Sequence, residues 1–433
     1  MALTPVSTAS KAGQARLAAL YDRFQLADDK CRGQVNEIIQ QIRDQGDAAL
    51  VEYTRRFDSP AFELGQLRVS EAEIDEACRQ VDRELLGHLR RAEKRIRQFH
   101  EREREQSWIE TREDGVITGR LVIPVDSAGL YVPGGQGGST PLVSSVLMNG
   151  IPAGIAGVKR RVMLTPPNAE GKVNPALLAA AREIGITEIY KAGSAWAIAA
   201  LAYGTESIAP VDVIVGPGNQ YVTEAKRQVS GRVRIDMIAG PSEVLVVADH
   251  TAEPAYVAAD LLAQAEHDPQ ALALCICTDQ AMAGQIAAAV AEQLPQLERR
   301  EIAARSLAER GALLVAADLD EAMELANRLA PEHLELMIAD PFAWLPKVRH
   351  AGAIFLGKYT PESVGDYLAG PNHVLPTMGT ARFSSALGVE TFVKKSSLIS
   401  YSKQALLADQ KAIDRLARLE GLTGHARSAT LRT

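Results

Sequence analysis

The spacing of apolar positions along this chain changes near residue 118. Before it, apolar residues recur every three or four positions, which puts them on one face of a helix. Leu17, Leu20, Tyr21 and Phe24 mark a helical arm over residues 1–29. A second helical region runs on through residue 106, and its last helix is densely charged over residues 90–106. Leu85, Leu89, Ala92, Ile96 and Phe99 give that helix one core face. Its charges, many with opposite-sign neighbours, form a solvated face. His88 and His100 have no ligand-type neighbours and are read as structural, as are His250 and His350.

Beyond residue 118 the chain breaks into short Val/Ile/Leu-rich runs with Gly/Pro punctuation. Residues 120–125, 161–167, 188–193, 211–219, 234–241, 243–249, 271–278, 312–316, 334–338 and 352–357 are the candidate strands. Helical stretches such as 174–185, 195–205 and 255–267 lie between them. That alternation predicts doubly wound, mostly parallel sheets, and such continuous apolar runs suit sheets covered on both faces. The last forty residues return to amphipathic helix and a polar tail. The expected architecture is two Rossmann-like α/β/α domains with a helical N-terminal arm and a small helical C-terminal extension. The expected division is an arm at 1–29, a catalytic α/β domain from 30–130 plus 242–387, a nucleotide-binding α/β domain at 131–241, and the extension at 388–433.

A chain of 433 residues is too long for one core, in keeping with two packed units. A net charge of -7 leaves no electrostatic footprint for nucleic acid or an anionic membrane, so neither partner is expected. No basic-then-apolar leader opens the chain, and no run approaches the roughly 18 apolar residues of a membrane helix, so cytoplasm is the expected location. The four cysteines, Cys31, Cys78, Cys275 and Cys277, are too scattered for a disulfide framework. Cys275 and Cys277 alternate along one strand; buried thiols are the ordinary reading, and a C-x-C metal knuckle is the alternative.

The candidate chemistry sits in short segments at the ends of apolar runs. They hold Gln264 and His267, Glu332 and His333, Asp366 and His373, and Glu420 and His425. Gln264 and His267 are three apart on one helix, so both can face one metal ion; a helix-capping role for the histidine is the plain alternative. Glu332 and His333 are adjacent on an extended segment and are expected to point apart, toward different steps or different sides of a substrate. Histidine supplies an acid or base near neutral pH, and a glutamate in a dry pocket can be tuned upward. The glycine-rich stretch from Tyr131 to Pro141 and VGPGN at 215–219 would let a nucleotide approach the backbone. Neither matches a dinucleotide or P-loop fingerprint, and Asn219 can equally cap the helix after it. Together these segments point to a metal-assisted enzyme.

Taken in order, YVPGG, SSVLMNGIPA, AIAALAYGTE, VIVGPGNQYVTEAKRQV, IDMIAGPSE, ADLLAQAEHDP, APEHLEL, GDYLAGPNHVLPT, ARFSSALGV and EGLTGHA resemble the histidinol dehydrogenases, from about residue 30 to the C-terminus. The resemblance implies a zinc- and NAD-dependent homodimer that oxidises L-histidinol twice at one carbon to L-histidine. It implies one zinc per site, held by Gln264, His267, Asp366 and His425, with His425 reaching into the partner's site. Glu332 and His333 then match the acid/base pair, with Glu332 activating water. The substrate lining is matched by Ser242, Gln264, His267, His333, Asp366, His373, Glu420 and His425, and the NAD contacts by Tyr131, Trp196 and Asn219. Two departures touch the cofactor: the glycine loop before SSVLM is longer than in the family, and Trp196 stands where the family commonly has glutamine. That tryptophan would stack on a cofactor ring or fill space. The rival readings are a paralogue for another small alcohol such as a sulfonated diol, and a catalytically silent module on the same fold.

Overall fold

The computed structural model describes residues 3–23, 29–134 and 140–432. The strand β1 (Pro5–Ser7) comes first, followed by β2 (Trp108–Thr111) and β3 (Ile117–Pro124). A first α/β unit carries β4 (Ser127–Tyr131), β5 (Arg160–Thr165), β6 (Glu188–Lys191), β7 (Val213–Val215) and β8 (Arg234–Ile235). A second carries β9 (Glu243–Ala248), β10 (Leu272–Cys277), β11 (Ala312–Val315), β12 (His333–Met337) and β13 (Ala353–Leu356); β14 (Val393–Ser400) follows.

The first unit is a parallel sheet in the order β6-β5-β4-β7-β8. The second is a parallel sheet in the order β1-β11-β10-β9-β12-β13. Setting β1 aside, both run third-second-first-fourth-fifth, so each sheet reverses direction beside its own first strand. This is the doubly wound arrangement expected from the alternation of elements. Fully buried strands explain the unbroken apolar runs: every residue of β4, β9, β10 and β12 is buried.

Three findings differ from the expectation. The arm is only partly helical, because Pro5–Ser7 pairs with Leu313, Leu314 and Val315 as an edge strand. Leu17 and Leu20 then pack on the sheet of β9–β13; Phe24 lies outside the described residues. The helices within 29–100 do not join that sheet. Val35, Ile38, Ile39 and Ile42 pack with Trp196, Ile198 and Val222 on one side of the β4–β8 sheet, and Leu89, Ala92 and Ile96 pack with Val146, Ile151 and Leu177 on the other. An amphipathic pattern fixes which face is buried, not which sheet receives it. Finally, β14 pairs antiparallel with β3, which also pairs with β2, so a three-stranded sheet stands where only helix was expected at the start of the extension. In the charged helix Arg83–His100 the core face holds except at its end, where Phe99 is 40% exposed and His100 is fully buried, its Nδ1 2.7 Å from Glu103 Oε2.

Cys275 and Cys277 share one face of β10 with their sulfurs 3.5 Å apart, both fully buried. Among the described residues they join no third metal-ligating side chain.

Candidate active site

The site lies at the amino ends of the second sheet. The parallel register of β9 and β12 sets His333 opposite Val244, which brings Glu332 and His333 beside the peptide groups of Glu243. The Glu243 N–H donates to Glu332 Oε2 at 2.7 Å, and its carbonyl oxygen lies 2.8 Å from His333 Nδ1. A carbonyl only accepts, so Nδ1 carries the ring proton and Nε2 keeps a bare lone pair. Burial pushes His333 down to about 4, which leaves the ring neutral at pH 7 and able to take a proton. Burial also pushes the Glu332 carboxyl well above its ordinary range, with Glu362, Glu243 and Asp366 adding to the rise. The two side chains do not point apart: Glu332 Oε2 is 3.8 Å from His333 Nδ1. The alternation of an extended strand begins only at His333, and Glu332, just outside it, turns back onto β9.

Behind this pair, the Glu243 side chain is held by Arg23 through a two-pronged contact at 2.7 and 2.9 Å. Arg23 also donates to the Leu329 carbonyl at 2.6 Å, and both charged groups are buried. The end of the N-terminal arm thus braces the strand that positions the catalytic candidates.

Beside them gathers a set of metal-type donors. The last turn of the helix Pro254–Ala265 carries Gln264, which is fully buried with neither amide atom hydrogen-bonded. His267 follows just beyond that helix. Asp366 sits on the short helix Glu362–Tyr367, and ligand atoms of His267, Glu362 and Asp366 all lie within 4.8 Å of one another. Burial opposes ionisation of Asp366, yet His373, His333 and His267 together hold its carboxyl below the usual range. His373 Nδ1 is 3.8 Å from Asp366 Oδ1, and Ser242 immediately precedes β9. A buried, unbonded amide is costly unless something accepts its lone pairs. A divalent ion bound by this mixed nitrogen and oxygen set would do so, and the set suits zinc. Glu420 and His425 stand apart from the cluster. Both are exposed, at the end of the helix Lys403–Leu419 and on the helix Thr423–Thr430, where His425 lines a groove with Leu406, Ile413 and Ser428.

At the first sheet the loops after β4 and β7 flank the point where strand order reverses, the usual seat of a dinucleotide. Tyr131 closes β4, and its hydroxyl accepts the Ser194 N–H at 3.0 Å. Asn219 caps the helix Gln220–Val229, its side-chain oxygen accepting from Tyr221 and Val222. Trp196 does not present a ring to a cofactor. It is 4% exposed and lies against Tyr53 and Phe57, with ring centroids 5.6 and 5.4 Å away. It fills the space between the sheet's own helices and that outer pair, the second of the two roles open to it. Most of the lengthened glycine loop, residues 135–139, lies outside the described residues.

The family model for histidinol dehydrogenase matches residues 21–433. A histidinol dehydrogenase of Desulfotalea psychrophila is 64% identical over 432 residues, covering 100% of both chains. One from Nitratidesulfovibrio vulgaris is 54% identical over 416 residues, covering 96% of this chain and 94% of its own. The chain belongs to the histidinol dehydrogenase family. The crystal structure of the Elizabethkingia anophelis histidinol dehydrogenase superposes with a TM-score of 0.92 at 38% identity, covering 99% of this chain and 98% of that one. A histidinol dehydrogenase is an NAD-dependent oxidoreductase, and the sulfonated-diol and silent-module readings gain no support.

Of the residues in the short polar segments, His267, Glu332, His333, Asp366 and His373 lie in one neighbourhood, whereas Glu420 and His425 do not; Ser242 came from the resemblance alone. Sequence reasoning missed Glu362, Glu243 and Arg23. Glu362 carried a usable signal, since it lies four residues before Asp366 and so on the same helical face. Glu243 and Arg23 carried none, because their partners are 220 residues apart in the chain. The motif segments do not follow the carboxyl-end rule of open α/β sheets: on the second sheet the chemistry sits at the amino ends of β9 and β12.

Proposed function

We propose that this chain oxidises L-histidinol to L-histidine in two steps at one site, reducing two NAD, as a zinc-dependent cytoplasmic homodimer that completes histidine biosynthesis. The observation that carries the reading is the neutral His333, its Nδ1 fixed on the Glu243 carbonyl and its Nε2 left bare beside the donor cluster. In the first step that nitrogen takes the proton of the substrate hydroxyl while the carbon gives up a hydride. In the second, Glu332 takes a proton from water as it adds to the aldehyde, and His333 returns its proton to the aldehyde oxygen; neutral again, it accepts a hydroxyl proton of the hydrate as the second hydride leaves. A carboxyl raised by burial is a stronger base once ionised than a surface one. Both residues are buried, which keeps the reactive aldehyde from bulk water between steps.

Gln264, His267 and Asp366 would hold the zinc, with His425 contributed by the partner subunit. The exposed position of His425, away from its own chain's cluster, and the exposed Leu416, Leu419 and Leu422 near it support that shared arrangement. Bound there, zinc supplies a positive anchor for substrate nitrogens and fixes the alcohol in one pose. Tyr131 and Asn219, beside the switch point of the first sheet, would hold NAD, which would supply the hydride acceptor. Ser242, His373 and Glu420 would line the substrate.

Chelation tests the metal. Turnover is expected to fall by about two orders of magnitude or more and to return with added zinc, as for other ions that anchor and polarise substrate. Full activity in verified metal-free protein would overturn the metal's role.

A further inference from the structure

The donor cluster contains one side chain that none of the assigned roles uses. Glu362 is 4% exposed, and its Oε2 has no hydrogen-bond partner. Its backbone N–H is committed to Glu335 Oε1 at 3.0 Å, which fixes the start of the short helix Glu362–Tyr367. Four residues on, Asp366 lies on the same face of that helix. Across from them, the end of the helix Pro254–Ala265 offers Gln264 and His267. A Glu362 oxygen, an Asp366 oxygen and a His267 ring nitrogen all fall within 4.8 Å of one another, close enough for small side-chain movements to bring them onto one ion. Glu362 Oε1 also stands 3.6 Å from His333 Nδ1, but that nitrogen is already bonded to the Glu243 carbonyl, so the glutamate has no fixed partner there.

We propose that Glu362 is a further metal ligand of the substrate-free enzyme, adding a second carboxylate to Gln264, His267, Asp366 and the His425 contributed by the partner subunit, and that it yields its place when substrate nitrogens arrive. This rests on the zinc reading above. Two buried carboxylates balance the charge of a divalent ion, whereas Asp366 alone leaves one positive charge uncompensated in a dry site. An ion also meets the needs of the unbonded Gln264 Oε1 and Glu362 Oε2 together, neither of which has a hydrogen-bond partner among the described residues. Displacement of an anionic ligand by neutral nitrogens then couples substrate binding to a change at the metal, and frees a carboxylate beside His333.

The test uses the full-length protein stripped of metal and titrated with Co2+ alone, read by visible absorption, with zinc affinity measured by competition against a chromophoric chelator. Unaltered protein is expected to take one Co2+ per chain. Glu362→Gln is expected to weaken apparent metal affinity by about tenfold or more and to alter the substrate-free Co2+ spectrum. With saturating L-histidinol, the spectra of the variant and the unaltered protein should coincide. Unchanged affinity and an unchanged substrate-free spectrum in the variant overturn the role of Glu362 and leave the metal site standing. Failure of unaltered protein to bind Co2+ or Zn2+ overturns the metal reading and this proposal with it. A crystal structure of zinc-loaded unaltered protein without substrate needs no variant. A Glu362 oxygen within about 2.2 Å of the ion supports the proposal, and one more than about 3 Å away overturns it.

Discussion

At the scale of single residues, the backbone of one residue does most of the positioning. The N–H and carbonyl of Glu243 hold Glu332 and His333, and the carbonyl fixes which ring nitrogen of His333 carries the proton, while burial shifts both groups. Glu332→Gln keeps the shape and the hydrogen bond from Glu243 but removes the base. Oxidation of added aldehyde should fall by about 10²–10⁴-fold, with alcohol oxidation far less affected; equal losses would remove Glu332 from the water step. The pH dependence has a definite sign. Because burial raises this carboxyl, its basic form is lost on acidification at a higher pH than for an ordinary glutamate. Aldehyde oxidation should therefore develop an acid limb above the usual carboxylate range, absent from Glu332→Gln, in a rate-against-pH profile. The types and order of Glu332, His333, Asp366 and Gln264 were legible in the sequence because chemistry limits which side chains can do these jobs. The support from Arg23 was not, since a buried ion pair between distant segments leaves no local pattern.

At the scale of elements, period-two and period-3.6 patterning located the buried strands and most helices, but not the partners of each. The strand β1 has only three residues and β14 exposes most of its side chains, so neither carries the apolar run by which β9 or β10 declares itself. The loop after β7 shows how tightly the elements at the nucleotide site are fitted. Gly216 has φ +119, and a Cβ there would sit 2.1 Å from the Tyr131 carbonyl oxygen at the end of β4. Its N–H is held by Asp236, itself paired with the buried Lys226. Gly216→Ala should destabilise the protein by about 1–3 kcal/mol through backbone strain, and should weaken NAD binding by separating the two loops at the switch point. Calorimetric melting and NAD titration would check both; a variant with unchanged stability and affinity would show that the loops adjust freely.

At the scale of the whole molecule, two sheets of one strand order put opposite strand ends to use. The carboxyl ends of the first sheet carry the loops suited to a dinucleotide, and the amino ends of the second carry the acid/base pair and metal donors. A single chain gathers His267, Glu362 and Asp366 but leaves Glu420 and His425 exposed near the C-terminus. If these complete a partner's site, mixing inactive His425→Ala and His333→Ala subunits should restore up to about a quarter of the unaltered activity as the heterodimers that pair one intact site per dimer form. No activity in heterodimers confirmed by mass would contradict the shared site. The most direct measurement of the central claim, that one buried site performs both oxidations, is the NADH formed per L-histidinol consumed, with no free aldehyde trapped by an added carbonyl reagent. Two NADH per substrate without trapped aldehyde is the expected result. One NADH with stoichiometric aldehyde release, or no NADH from zinc-loaded folded protein, would contradict it.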